Sequence, residues 1–321
     1  MTLKKSSIRL ALVGLAALPL LASQASAAPT LGTGYTNTLT ATLPGPYSNF
    51  YGDIAVDAAG NRYVTGGLGS SVYKVNAAGA VTSFVDPLNG STVLGLEVVG
   101  NKLYVGSEST GLTRVDLGTG AQTNLAAASG SPMALAYGAG KLYVGTTSGL
   151  YAYDTIANTF SSTSILGSLV NSLAFGNDGK LLVSDYNNSR ILSYNTSTNS
   201  ASVFRSGIGS VAGIAVHQPS GLVYAASESS NTLIRIAADG SAASTFATGF
   251  NTDGGYYPTA LNFSSDYSSL YYLQSGANST FQIAAINGFP GAQNGVPEPG
   301  ALALALLGLG AAGAARRRGR G

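Results

Sequence analysis

His217 is the only histidine of the 321-residue chain, and the chain contains no cysteine. A catalytic imidazole needs a nucleophile or a proton partner beside it. The sequence presents no convincing Ser–His–Asp set, and the absence of thiols excludes cysteine nucleophiles and thiolate metal sites. His217 follows the apolar run "GIAV" at the place where another repeat has Asp57, so we expect it to form a turn at a strand end.

Carboxylates that could bind a metal are also few. Asp53 and Glu97 lie in two apolar strand openings, "DIAVD" and "GLEVV". A hard cation such as Ca²⁺ needs several oxygen ligands that converge from different elements. For both acids the sequence favours a role in a strand or turn, and metal binding is the alternative.

The elements that position these residues form a sixfold repeat. The second residues of the six opening strands are spaced by 42, 39, 38, 41 and 47 residues: Ile54, Leu96, Leu135, Leu173, Ile214 and Leu261. Each opening is followed by further short strands, such as "NKLYVG" and "GLTRVD". Four strands in about 40 residues are typical of a β-propeller blade. Strands that are apolar on both sides, such as "KLYVG", are expected where a blade packs between two neighbours.

The sixth repeat has only three strands before the segment "NGFPGAQNG". A matching strand, "YTNTLTATL" at Tyr35–Leu43, precedes the first repeat. This N-terminal strand would complete the last blade, close the ring and remove exposed sheet edges. The sequence therefore predicts an all-β, six-bladed β-propeller over residues 33–289, followed by a linker at 290–295. A seventh blade is the main alternative, but the sequence has no room for one.

Residues 1–27 are predicted to be a secretory signal peptide. Lys4, Lys5 and Arg9 supply the positive start, an apolar segment follows, and Ala25 and Ala27 supply the small-residue cleavage site. We therefore expect an exported protein.

The C-terminus combines an apolar stretch at 301–315 with an arginine cluster. Fifteen residues form a helix of about 22 Å, which is shorter than the roughly 30 Å hydrocarbon core of a bilayer. The arginines would stay on the cytoplasmic side. These features predict a weak, transient inner-membrane anchor.

This arrangement resembles the PEP-CTERM sorting signal of exported bacterial proteins, over residues 296–321. The matching residues are Val296, Pro297, Glu298, Pro299, Arg316, Arg317 and Arg318. The resemblance implies recognition by an exosortase-type membrane protease near Pro297–Pro299. It also implies loss of the anchor and release to the cell surface, outer envelope or extracellular matrix. A simple C-terminal membrane anchor is the alternative.

The repeats resemble NHL-type and gluconolactonase-like propellers, best over Asn171–Asn195 with its turn at Asp178–Gly179. The resemblance implies a divalent metal in the central channel, held by a Glu, an Asn and an Asp that precede the innermost strands. Asn171 matches the Asn, whereas Gly52 and Ala212 stand at the other two positions. Asn171 is thus the one metal ligand implied, and we expect no cofactor, with Ca²⁺ or another divalent metal as the alternative. By resemblance, streptogramin-lyase-like propellers need more than one histidine, which this chain does not provide.

Charge further limits the function. Without the seven basic residues at the two ends and Glu298, the body keeps nine basic and thirteen acidic residues, a net charge of −4. This balance speaks against a nucleic-acid partner. For Tyr256 and Tyr257, in the longest connection between repeats, the sequence favours packing in the core or at the rim, and stacking on sugar rings is the alternative.

The sequence therefore favours an exosortase-processed surface or extracellular-matrix protein whose propeller is a non-catalytic binding or structural module. Its expected partners are the exosortase and an exopolysaccharide or surface proteins. One alternative is a divergent metal-dependent lactonase or hydrolase around Asn171. Another is a periplasmic scaffold that keeps its tail.

Overall fold

A computed structural model of the protein describes residues 28–44, 52–65, 71–85, 92–109, 111–125, 128–250, 259–275 and 280–291. The expected signal peptide with Ala25 and Ala27, the helix at 301–315, the sorting motif and the pair Tyr256–Tyr257 lie outside these residues. Within the described residues, the only helical element is a single 3₁₀ turn at Tyr186–Asn188.

The described strands form six antiparallel sheets, one for each repeat, which we number as blades in chain order. The first blade contains β3 (Ile54–Val56), β4 (Arg62–Thr65), β5 (Val72–Val75) and β6 (Val81–Val85). The second contains β7 (Val93–Val99), β8 (Lys102–Ser107), β9 (Gly111–Asp116) and β10 (Gln122–Asn124). The third contains β11 (Pro132–Gly138), β12 (Lys141–Thr146), β13 (Gly149–Asp154) and β14 (Thr159–Leu166).

The remaining three blades continue this order. The fourth contains β15 (Val170–Phe175), β16 (Leu181–Asp185), β17 (Arg190–Asn195) and β18 (Ser200–Ser206). The fifth contains β19 (Val211–His217), β20 (Leu222–Ser227), β21 (Thr232–Ile236) and β22 (Ala243–Thr248), with β1 (Thr30–Leu31) at its outer edge. The sixth contains β23 (Thr259–Phe263), β24 (Ser269–Ser275), β25 (Phe281–Asn287) and β2 (Thr36–Thr42).

The chain forms strands here because each blade is covered on both faces. In the run "KLYVG" the side chains of Leu142, Tyr143 and Val144 are all buried, although successive strand residues point to opposite faces. Buried apolar residues form six clusters, and each cluster lies between two successive blades around the ring. The core is therefore divided among six blade interfaces.

The N-terminal strand closes the ring, as the sequence predicts. Strand β2 pairs antiparallel with β25, from Thr36 opposite Asn287 to Thr42 opposite Gln282. The innermost strands β3, β7, β11, β15, β19 and β23 contact one another in order, and β23 contacts β3. The prediction of a six-bladed propeller whose last blade is completed from the N-terminus is confirmed.

A second N-terminal strand, β1, was not predicted. Thr30 and Leu31 pair with Thr248 and Ala247 at the outer edge of the fifth blade. The N-terminus thus binds two successive blades. A two-residue strand is too short to show periodicity in a sequence, and its partner strand is more than two hundred residues away.

Candidate functional site in the central channel

The six innermost strands surround a channel that contains a cavity of about 230 Å³. Each of these strands is the inner edge of its sheet, so its backbone N–H and C=O groups that face the channel have no strand partner. A polar side chain that lines the channel can therefore bind either an unpaired backbone group of a neighbouring strand or a ligand. For most of these side chains, the observed hydrogen bonds show that they bind the neighbouring strand.

Asp53 links the first blade to the second. Its Oδ2 accepts a hydrogen bond from the backbone N–H of Leu96 at 2.8 Å, and its Oδ1 accepts one from Ile54 at 2.8 Å. The backbone N–H of Asp53 donates to the Thr65 hydroxyl at 2.9 Å. The carboxylate thus satisfies one unpaired edge group of the neighbouring blade.

Ser172 makes the same connection between the fourth and fifth blades. Its hydroxyl accepts a hydrogen bond from the backbone N–H of Ile214 at 2.8 Å. Ser172 and Asp53 directly precede the aligned residues Leu173 and Ile54, and Gly95 and Gly213 stand at this position in two other blades. A Cβ added to Gly95 would lie 3.1 Å from the backbone nitrogen of Ala134. This position is therefore occupied by a hydrogen-bond acceptor in two blades and by glycine or alanine in the other four.

In two blades the residue after the aligned position, Glu97 after Leu96 and Asn262 after Leu261, forms a second kind of inter-blade bond. Glu97 Oε1 accepts a hydrogen bond from the backbone N–H of Tyr137 at 2.9 Å. Asn262 Nδ2 donates to the backbone carbonyl of Ile54 at 2.9 Å, across the interface that closes the ring. The expectation that Asp53 and Glu97 have structural roles agrees with these contacts.

Burial changes the acidity of Asp53. Desolvation raises the pKa of its carboxyl from 3.8 to about 7, although the hydrogen bonds from Leu96 and Ile54 act in the opposite direction. A carboxyl with a pKa near 7 has the acidity that general acid–base catalysis requires. Because both oxygens already accept backbone hydrogen bonds, the geometry favours the structural role.

The channel does not contain the three-ligand set that the gluconolactonase resemblance implies. A Cβ at Gly52 would lie 2.6 Å from Leu273 Cδ1, so no glutamate fits there without rearrangement. Ala212 is buried and its methyl side chain has no oxygen to bind a metal. Among the described residues, no three His, Cys, Asp or Glu side chains are grouped closely enough to hold a metal ion.

Asn171 does line the channel, where its side chain is half-buried. No hydrogen bond joins its amide to any other described residue, in contrast to the side chain of Ser172 next to it. Its assignment as a metal ligand stays a prediction.

His217 lies at the end of β19 and is 1% exposed. Its Nε2 is 3.0 Å from the backbone carbonyl of Pro290, which can only accept, so Nε2 carries the proton and Nδ1 accepts from the Ser220 hydroxyl at 2.7 Å. Burial lowers the pKa of the imidazole. The ring packs against Phe263 and Phe289, with centroids 5.1 and 5.6 Å away. His217 thus fixes the turn after β19 and the chain that follows the last blade.

Residues 295–319 match the PEP-CTERM protein-sorting motif. This match confirms the resemblance found in the sequence. The motif indicates an exported protein that is transiently anchored in the membrane, and it implies processing by an exosortase. Within the described part of the chain, no helix has the length and apolar character needed to span a bilayer. The fold and the motif together define an exported six-bladed β-propeller protein.

Solved structures support this fold. A gluconolactonase from Xanthomonas campestris is 14% identical, with a TM-score of 0.66 over 83% of this chain and 96% of that one. The calcium-binding protein regucalcin from Agrobacterium tumefaciens is 18% identical, with a TM-score of 0.62 over 80% and 96%. Virginiamycin B lyase from Staphylococcus aureus is 17% identical, with a TM-score of 0.58 over 81% and 89%. At these identities the likeness shows the fold alone. No curated protein matches the chain.

Proposed function

We propose that the protein is processed by an exosortase and acts at the cell surface, in the outer envelope or in the extracellular matrix. Its propeller is a non-catalytic binding or structural module. One observation carries this proposal: Asp53, Glu97, Ser172 and Asn262, which line the channel, each form a hydrogen bond that joins two neighbouring blades. These hydrogen bonds favour a structural role for the four side chains over a catalytic one.

The ligand class that we propose is an exopolysaccharide, with surface proteins as the other expected partners. Support comes from the composition, because charged residues make up only 9% of the chain and short polar residues are abundant. Hydroxyl and amide side chains form the hydrogen bonds that sugars need.

The test combines three measurements on the full-length protein, purified in mild detergent. Bound metal is quantified by elemental analysis after dialysis against Ca²⁺. Lactone hydrolysis is followed with and without a chelator, and retention is measured on immobilised neutral and acidic polysaccharides. We expect retention on a polysaccharide without bound metal and without hydrolysis. Hydrolysis that the chelator abolishes would contradict a non-catalytic module.

The second candidate is a divergent metal-dependent lactonase or hydrolase around Asn171. It is favoured by the unbonded amide of Asn171 in the channel and by the pKa of about 7 at Asp53. One equivalent of a divalent metal that disappears in Asn171→Ala would support it. Asn101→Ala changes an exposed asparagine of the second blade and serves as the matched control.

A further inference from the structure

One core position of the first blade differs from the same position in the other five. Arg62 is paired with Val56 on the innermost strand of its blade. The strand pairing places five aliphatic residues at the equivalent position, all 0–2% exposed: Leu103, Leu142, Leu181, Val223 and Leu270. Arg62 is itself only 3% exposed. The first blade therefore buries a guanidinium at a position where the other five blades have an aliphatic side chain.

The buried guanidinium has incomplete partners. Nη2 donates to the backbone carbonyl of Asn76, and the group lies 5.0 Å from the ring centroid of Tyr271. Nε is buried and has no hydrogen-bond partner in the described part of the chain. No carboxylate of the described residues forms an ion pair with Arg62, whereas Lys102, Lys180 and Arg190 each have one. A buried charge without a counter-ion is strongly unfavourable, so this arrangement lacks an anion.

A groove of about 260 Å³ adjoins Arg62 where the sixth blade meets the first. We call it the closing groove, and its lining includes Thr40, Arg62, Gly79, Ser269, Tyr271 and Asn287. The turn that carries Gly79 packs against β2, since a Cβ on Gly79 would lie 2.8 Å from the carbonyl oxygen of Thr40. The groove is therefore built by the closure of the ring, and its volume suits one small molecule.

The polar groups of the groove point to a hydroxylated ligand. The Thr40 hydroxyl donates to the Ile283 carbonyl at 2.9 Å, and the Ser269 hydroxyl donates to Asn287 Oδ1 at 2.8 Å. A hydroxyl that donates inside the protein keeps lone pairs that accept hydrogen bonds from a ligand. The groove thus combines an anion-binding guanidinium with acceptors for ligand O–H groups.

We propose that the closing groove binds the carboxylate of an acidic sugar residue through Arg62. The planar guanidinium binds a carboxylate through directed N–H donors, and among the described residues only its Nη2 donates to the protein. The sugar hydroxyls donate to the Thr40 and Ser269 oxygens. The inference rests on the proposed function only for the source of the sugar, which would be an acidic exopolysaccharide.

The experiment titrates the full-length protein in mild detergent with sodium glucuronate at constant ionic strength. Methyl glucoside is the neutral sugar, and sodium acetate is the anion without hydroxyls. We expect saturable binding of glucuronate at least tenfold tighter than that of either comparison compound. Arg62→Met should weaken glucuronate binding at least tenfold, and Arg62→Lys should weaken it severalfold because the charge remains without the planar donors. Arg235→Met removes an exposed arginine of the fifth blade and should change affinity less than twofold.

Thr40→Val keeps Arg62 and distinguishes the contribution of the sugar hydroxyls from that of the carboxylate. It should weaken glucuronate binding about threefold and leave acetate binding unchanged. The inference is overturned if acetate or methyl glucoside binds as tightly as glucuronate, or if folded Arg62→Met or Arg62→Lys binds glucuronate as the unaltered protein does. If Arg62→Met does not fold, Arg62→Lys and Thr40→Val carry the test. If glucuronate does not bind but the protein is retained on a neutral polysaccharide, this inference fails and the proposed function stands.

Discussion

The central channel and the closing groove both contain polar side chains in a largely apolar ring, but the two regions use them differently. In the channel, Asp53 and Ser172 each bind a backbone N–H of the next blade. In the closing groove, Arg62 is buried with an unpaired Nε and no carboxylate partner among the described residues. Buried polar groups in native proteins are normally paired, so an unpaired one suggests a missing partner. A channel variant should therefore change stability, and a groove variant should change binding.

The largest effect that we expect in the channel is a pH dependence caused by Asp53. Its pKa of about 7 in the folded protein is higher than the value of 3.8 for an unperturbed carboxyl. Between these two pH values the folded state keeps a proton that the unfolded state has released, so the free energy of unfolding falls as pH rises. A difference of about three pKa units corresponds to about 4 kcal/mol.

The measurement is denaturant unfolding of the unaltered protein and of Asp53→Asn from pH 4 to pH 8. The free energy of unfolding of the unaltered protein, relative to the variant, should decline through this window. An increase with pH would mean that the two backbone hydrogen bonds to Asp53 outweigh its burial. The carboxylate would then stabilise the ring in its charged form.

Gly95→Val should lower the free energy of unfolding by about 3 kcal/mol, because the added atoms overpack the interface between the second and third blades. The new Cβ would lie 3.1 Å from backbone atoms of Met133 and Ala134, which have little room to move. Gly118→Val in an exposed turn, where the nearest atom is Asp116 Oδ1 at 3.4 Å, is the matched control. Equal stability of the two variants would contradict a tight contact between inner strands.

The sequence predicts the ring well because its signals are local and repeated. Strand openings of similar composition, turns such as Asp178–Gly179 and the unmatched strand at Tyr35–Leu43 together indicate six blades and their closure. Strand β1 was missed since two residues carry no pattern. The structural roles expected for Asp53 and Glu97 agree with the contacts, although their partners in the next blade follow only from the packing of the blades.

Arg62 shows what the repeat alone does not reveal. In the sequence, "NRYVTG" has the same length as "NKLYVG" and a similar start, which would match Arg62 to Lys102, the first residue of β8. The strand pairing instead matches Arg62 to Leu103, one residue further along. A shift of one residue moves a side chain to the other face of a strand. Arg62 therefore lies in the core, and that placement depends on hydrogen-bond register rather than on composition.

Ser172→Ala should lower the free energy of unfolding by about 1 kcal/mol, because it leaves the buried N–H of Ile214 without its acceptor. Ser197→Ala changes an exposed serine of the same blade and should have no measurable effect. Denaturant unfolding of both variants measures the difference. If Ser172→Ala were as stable as Ser197→Ala, its inter-blade hydrogen bond would contribute nothing to the ring.

Arg62→Met should have the smallest effect on stability, and its sign is opposite to that of the channel variants. The substitution removes one hydrogen bond to Asn76 and the contact with Tyr271, but it also removes a buried charge that has no counter-ion among the described residues. Replacement of buried charges by apolar side chains is often neutral or stabilising. We therefore expect the free energy of unfolding to stay the same or to rise by about 1 kcal/mol. A loss of more than about 2 kcal/mol would mean that the protein itself satisfies the guanidinium, as it satisfies Asp53 in the channel, and the closing groove would then need no anion.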